Sequence, residues 1–132
     1  VWGMQAAISH MPSGGSIINI GSMAGRLGSA GALLYAGVKA GVDGLTRSAS
    51  VELGPRGIRV NAIAPSTVAT EGVMAILTPA QLERRISQTP MGRLGTVDDI
   101  AQTALWLASE RSDFVTGQSL AVDGGIGHTL QR

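Results

Sequence analysis

Tyr35 and Lys39 are the only tyrosine and the only lysine of the chain, and they stand four residues apart. On a helix, residues at i and i+4 project from one face, one above the other. An ammonium beside a phenol favours the phenolate by charge attraction, drawing down a pKa that starts near ~10. A phenol tuned in this way exchanges a proton with an alcohol or ketone near neutral pH. The same spacing describes an ordinary solvated Tyr–Lys pair, so spacing alone leaves both readings open. Ser22 adds a hydroxyl that can donate to a carbonyl oxygen or accept from an alcohol. It follows a short apolar run ending at Gly21, and ligands of open parallel sheets bind outside the carboxyl ends of the strands. Serines in glycine-rich turns also bond their own backbone, so Ser22 has two readings as well.

The elements around these residues follow from hydrophobic period and punctuation. Trp2 to Met11 is apolar nearly all round, which predicts a helix buried on more than one side, broken by Pro12-Ser13-Gly14-Gly15. Ser16 to Ile20 reads as a strand rich in β-branched residues. Gly25, Gly28 and Gly31 mark an irregular loop. From about Ala32 to Leu53, apolar residues recur at Leu34, Val38, Val42, Leu45, Ala49 and Leu53, a helical period stopped by Gly54-Pro55. Ile58 to Ala64 is a second buried strand, closed by Pro65. Residues 66–77 are less regular. Thr78-Pro79-Ala80-Gln81 opens a helix reaching about Ser87 with a capping box and proline at its first position. Thr96-Val97-Asp98-Asp99 caps another, with two acids at its positive end and a buried stripe of Ile100, Ala104, Leu107 and Ala108. Ser119 to Val122 is a third strand, stopped by Asp123-Gly124-Gly125. Long connections between buried strands imply a parallel sheet covered by helices on both faces, an α/β architecture.

Composition narrows the functions on offer. Charged residues are 14% of the chain and apolar ones 44%, which excludes a disordered charged tail. The net charge is +1, with no basic cluster beyond Arg84-Arg85, so nucleic acid is not an expected partner. Zero cysteines exclude a disulfide scaffold and a thiolate metal site. His10 and His128 lack neighbouring ligands, and no metal is expected. A hydrolase relay of Ser22, Asp123 and His128 has a permissible order, but Gly21-Ser22-Met23-Ala24-Gly25 sets its serine one position early for a nucleophile elbow. Residues 1–25 carry no charge, yet Pro12, Gly14 and Gly15 interrupt the ~20-residue run a membrane span requires. No basic segment precedes an apolar one as in a signal peptide, and the expected compartment is the cytoplasm. The chain starts at Val1 rather than Met, and it reads as a fragment of a larger protein.

Ile18-Asn19-Ile20-Gly21-Ser22, followed by Tyr35-Ala-Gly-Val-Lys39, resembles the short-chain dehydrogenase/reductase family. The similarity continues through Ile58-Arg-Val-Asn-Ala-Ile-Ala-Pro65, Thr70, Met91-Gly-Arg-Leu-Gly95, Asp98-Asp99-Ile100-Ala101, and Val115-Thr-Gly-Gln118 leading into Val122-Asp-Gly-Gly125. It runs along practically all 132 residues and looks like the C-terminal half of the family's Rossmann-like, doubly wound domain, with about three strands and their flanking helices. The resemblance implies an NAD- or NADP-dependent oxidoreductase that interconverts a small secondary alcohol and a ketone. Tyr35 then matches the general acid/base. Lys39 matches the residue that tunes it and bonds the nicotinamide ribose, and Ser22 the one that polarises the substrate oxygen. Pro65, Val68 and Thr70 match the loop at the nicotinamide end.

Two departures accompany the resemblance. Ser66 stands where the family usually has glycine, so the loop after Pro65 is expected to be slightly reshaped. The glycine-rich phosphate-binding turn, the selector between NAD and NADP, and the family's catalytic asparagine are not in these 132 residues. The 1–132 segment is therefore expected to be the catalytic portion of one domain, without its dinucleotide-phosphate half. The alternative is a non-catalytic piece that only packs against partner chains. No charge occurs from Val1 to Gly25 or from Leu27 to Val38; two helices so apolar cannot both be satisfied by one sheet face, and the resemblance implies a homo-oligomer, a tetramer or dimer.

Overall fold

The computed structural model describes residues 1–11 and 13–129. Three strands, β1 (Ser16–Ile20), β2 (Arg59–Pro65) and β3 (Ser119–Val122), form a parallel sheet in that order. Ile18 lies opposite Asn61 and Ile20 opposite Ile63. On the other side Ala62 faces Ser119 and Pro65 faces Val122. All three strands run the same way, so Ile20, Pro65 and Val122 end along one edge. Residues Val60 and Ala62–Ala64 are completely buried, as a parallel strand covered on both faces must be. Five α-helices connect and cover the strands: α1 (Trp2–Ile8), α2 (Leu33–Leu53), α3 (Glu71–Ile76), α4 (Pro79–Gln88) and α5 (Val97–Ala108).

The two faces separate by strand alternation. On one, Met4, Ile8 and Met11 join Ile17 against the cluster Ala49, Leu53, Ile58 and Val60. Asn19 on that face donates to the Thr46 hydroxyl of α2 at 3.0 Å. On the other, the Ser16 hydroxyl and the Arg59 guanidinium both donate to the Leu107 carbonyl of α5, at 2.9 and 2.8 Å. Arg59 also reaches the Ser109 carbonyl, placing a cation at the negative end of α5. Helices therefore cover both faces; the expected capping box forms at Thr78/Gln81, and at the expected Thr96 cap Asp99 completes a second one. No described helix is long and apolar enough to cross a membrane.

The structure corrects several expectations. α1 ends at Ile8, not Met11, because the Ser9 hydroxyl takes the Ala6 carbonyl and Arg56 takes those of Ile8 and Met11. Pro12, to which the sequence assigns the break, lies outside the described residues. Burial of α1 on more than one side is not found: it has no fully buried residue, and Trp2 is 86% exposed. The stripe of α2 is buried only in its C-terminal half, at Thr46, Ala49, Ser50 and Leu53, whereas Leu34, Val38 and Leu45 are exposed. In α5, Leu107 is fully buried but Ala108 is exposed, since Ala108 turns away from the sheet. The second strand runs one residue later than its apolar run suggests, including Pro65. The segment 66–77 contains a short helix, α3, that the sequence reading left irregular.

Candidate active site

Ser22 leaves β1 after Gly21 and caps a 3-10 turn over Met23–Gly25. Its Oγ accepts from the Ala24 N–H at 3.1 Å. The bond uses a lone pair of the oxygen and leaves the hydroxyl proton free to be donated, so the local cap and a role toward a substrate oxygen are compatible. Tyr35 sits in the first turn of α2 with its side chain half exposed. Lys39, one turn on, donates from Nζ to the Ile20 carbonyl at 2.9 Å, and the same Nζ stands 5.8 Å from the centroid of the Tyr35 ring. That single bond ties the face of α2 carrying Tyr35 to the strand end from which Ser22 emerges. It uses one of three ammonium protons.

The turn bearing Ser22 lies directly on α2. A methyl group on Gly25 would fall 2.6 Å from the Ala40 nitrogen and 2.7 Å from the Lys39 carbonyl carbon. Only glycine permits so close an approach.

The Pro65–Thr70 loop leaves the same edge of the sheet. Ser66 donates from its N–H to the Val122 carbonyl at 3.3 Å. All described residues with positive φ are glycines, so Ser66 occupies its place without backbone strain. Val68 forms an isolated parallel bridge with Gly95. Around it Ala69 N–H donates to the Gly95 carbonyl at 2.8 Å and Gly95 N–H to the Thr67 carbonyl at 3.0 Å. Thr70 caps α3, its hydroxyl oxygen accepting from Val73. Arg85 of α4 donates to the Thr67 hydroxyl at 2.8 Å.

An ion pair flanks Gly95 in the sequence. Arg93 donates to both oxygens of Asp99, at 2.7 and 3.0 Å, and the Thr96 N–H and hydroxyl also donate to this carboxylate. The Arg93 hydrogen bonds first, then those from Thr96, hold the Asp99 carboxyl well below the usual carboxylate range.

Several other candidates do not converge. Both oxygens of Asp123 accept from backbone, from Gly125 N–H at 2.8 Å and Gly127 N–H at 2.9 Å, so this carboxylate is a loop cap and not the middle of a hydrolytic relay. His10 bonds within its own helix end, and His128 is exposed. Sequence reasoning missed Arg26 and Asp43, which tie the Ser22 turn to α2; Asp43 sits one turn beyond Lys39, and that spacing was the only available signal. It also missed the anchoring of the loop by Gly95 and Arg85.

The residues fit the nicotinamide-ribose end of a dinucleotide. Lys39 on α2 has two ammonium protons left and Thr70 at the start of α3 has a hydroxyl, and the ends of β1, which Lys39 bonds, and β2, which Thr70 follows, share one edge of the sheet. Residues 1–127 match the family described as enoyl-(acyl carrier protein) reductase. The chain is 44% identical over 124 residues to trans-4-hydroxycyclohexanecarboxylate dehydrogenase of Sinomonas cyclohexanicum, covering 93% of this chain and 46% of that protein. It is 45% identical over 112 residues to the 3-oxoacyl-(acyl-carrier-protein) reductase FabG of Pseudomonas aeruginosa, covering 85% and 45%. Among solved structures, ElxO with NADP bound superposes with a TM-score of 0.88 at 37% identity, over 96% of this chain and 52% of that one. A short-chain type dehydrogenase/reductase from Mycobacterium ulcerans gives 0.84 at 37% identity, over 88% and 42%. The chain spans about half the length of these relatives.

Proposed function

The chain belongs to the short-chain dehydrogenase/reductase family, and on that basis we propose that it carries the catalytic portion of an NAD(P)-dependent oxidoreductase interconverting a secondary alcohol and a ketone. The observation that supports this most is the Lys39–Ile20 bond of 2.9 Å, which sets the Tyr35 face of α2 against the strand exit that carries Ser22. When bound, the nicotinamide supplies or accepts the hydride. In the reductive direction the Ser22 hydroxyl donates to the ketone oxygen and fixes its position. The Tyr35 phenol transfers its proton to that oxygen as the alkoxide develops. In oxidation the phenolate takes the proton back. The Lys39 ammonium, 5.8 Å from the centroid of the Tyr35 ring, would lie beside the phenolate oxygen, and its two remaining N–H groups would hold the ribose hydroxyls. Pro65 starts the loop, and the Val68 main chain and Thr70 hydroxyl would hold the carboxamide end. The assembly would be a homo-oligomer, supported by the exposed apolar residues of α1 and α2.

The named relatives act on a ring alcohol and on 3-oxoacyl thioesters, so a fitting panel is 4-oxocyclohexanecarboxylate and a 3-oxoacyl thioester, each with NADH and NADPH. In the natural protein that contains this chain, Tyr35→Phe should lower kcat by ~10²–10⁴-fold with the fold intact by circular dichroism. A Phe variant keeping more than about a tenth of the rate would show that Tyr35 is not the acid, since general acid/base catalysis is worth far more than tenfold. Absence of hydride transfer from the unaltered protein across the panel would favour the alternative, a chain that only packs against partners.

A further inference from the structure

Arg26, Asp43 and Ser119 close a polar ring beside the site. Arg26 ends the 3-10 turn that Ser22 begins. Its Nε donates to Asp43 Oδ2 at 3.2 Å, and its Nη2 donates to the Ser119 carbonyl. The Ser119 hydroxyl donates to the other Asp43 oxygen at 2.7 Å. One residue from the loop, one from α2 and one from β3 thus hold each other through both oxygens of one carboxylate. The Asp43 side chain is only 17% exposed, so the ring is not a freely solvated surface pair.

Its placement is what gives it consequence. Tyr35, Lys39 and Asp43 follow at four-residue intervals on α2, in one row along a face. Ser22 and Arg26 bracket the turn over Met23–Gly25, and Gly25 rests on the α2 backbone at Lys39–Ala40. Gly21 is close as well: a methyl group there would lie 3.7 Å from Asp43 Oδ1. The Ser22 hydroxyl is thus fixed relative to α2 from two sides, by the Lys39 bond to Ile20 before it and by the Arg26–Asp43 bond after it. Reacting groups need this kind of fixing, because a misplacement of ~1 Å can lower a rate by ~10²-fold.

We propose that Arg26 and Asp43 are positioning residues that hold the Ser22 hydroxyl in register with Tyr35 and Lys39. The proposal rests on the catalytic reading above and adds two residues to it, neither of which touches substrate or coenzyme. Guanidinium is suited to the task, since its planar fork bonds a carboxylate and a carbonyl from separate nitrogens in a fixed geometry, whereas the lysine ammonium is a point charge without that fork.

The test is a cycle in the natural protein, using the ketone and coenzyme of the panel that it turns over fastest. Arg26→Ala and Asp43→Asn should each lower kcat by about 10- to 100-fold, with the KM for coenzyme changed less than about threefold, equivalent to ~0.65 kcal/mol. Arg26→Lys should recover only part of the loss. In a Ser22→Ala background, Arg26→Ala should cost little more, because no hydroxyl remains to be positioned. Losses that multiply independently of Ser22 would reduce the ring to a structural tie and overturn the proposal, as would full kcat in Arg26→Ala. If Arg26→Ala fails to fold, Asp43→Asn, which keeps the side-chain shape, carries the same cycle. Unaltered kcat in Ser22→Ala, or no turnover by the unaltered protein, would remove the catalytic reading itself and with it the proposal.

Discussion

Lys39 holds the Ile20 carbonyl at 2.9 Å while standing 5.8 Å from the Tyr35 ring, so one ammonium faces a strand end, a phenol and open space. In the proposed mechanism the open side would receive the ribose hydroxyls. Lys39→Met keeps much of the apolar stem and removes all three donors. In the natural protein the variant should therefore lower kcat and raise the coenzyme KM together, each by about tenfold or more, the loss of a charged hydrogen bond being worth ~1.5–3 kcal/mol. Steady-state kinetics with coenzyme as the varied substrate reads both. A loss confined to kcat would contradict the ribose contact. That Tyr35 and Lys39 share a face of α2 was legible in the sequence, because residues four apart on a helix project together. Arg26 was not, since its partners lie 17 and 93 residues away and nothing local in the chain points to them.

Among the elements, the loop after Pro65, a candidate site segment, is tied by a bridge and hydrogen bonds to residues outside the proposed site. Asp99 caps α5 through Thr96 and receives the Arg93 fork. Gly95, between them, bridges to Val68. The folded carboxyl is depressed below its ordinary value by those hydrogen bonds. The stability it contributes is therefore fully present above the unfolded carboxylate pKa of ~3.9 and is lost as pH falls through the lower folded value. Asp99→Asn should lower Tm at pH 6, and the gap to the unaltered protein should narrow steadily as pH drops below about 4. A gap that stays constant down to pH 2 would show that the ionised carboxylate is not what matters there. β1, the Thr78 capping box and the Thr96 cap were readable, because β-branched runs between glycines and threonine caps before a helix act locally. α3 was not. It spans six residues, too short for a hydrophobic period, and its cap, Thr70, also matches a coenzyme contact. The cap and first-turn acid, Thr70-Glu71, were the signal available.

At the scale of the molecule, the described residues leave apolar helix faces uncovered. Leu33 is 91% exposed and Leu34 81%, and Val38 beyond them on α2 is also exposed. Trp2 on α1 adds to the same kind of surface. Large apolar side chains exposed in this number mark a candidate contact surface, and burying one such side chain contributes ~1.5–3 kcal/mol. Cover from elsewhere in a longer chain and cover from a second copy make different predictions. With a second copy, the natural protein sediments as a dimer or tetramer at micromolar concentration. Leu34→Glu would then place an unpaired carboxylate in the contact and shift the protein to smaller species, with dissociation at least about tenfold easier, equivalent to ~1.4 kcal/mol. With cover from its own chain, the same variant lowers Tm and leaves the sedimentation coefficient unchanged. The stretch from Leu27 to Val38 carries no charge and only two hydroxyl side chains, Ser29 and Tyr35, so either kind of cover buries mainly apolar surface. Sedimentation velocity on both proteins decides the matter, and a monomeric unaltered protein would end the homo-oligomer reading.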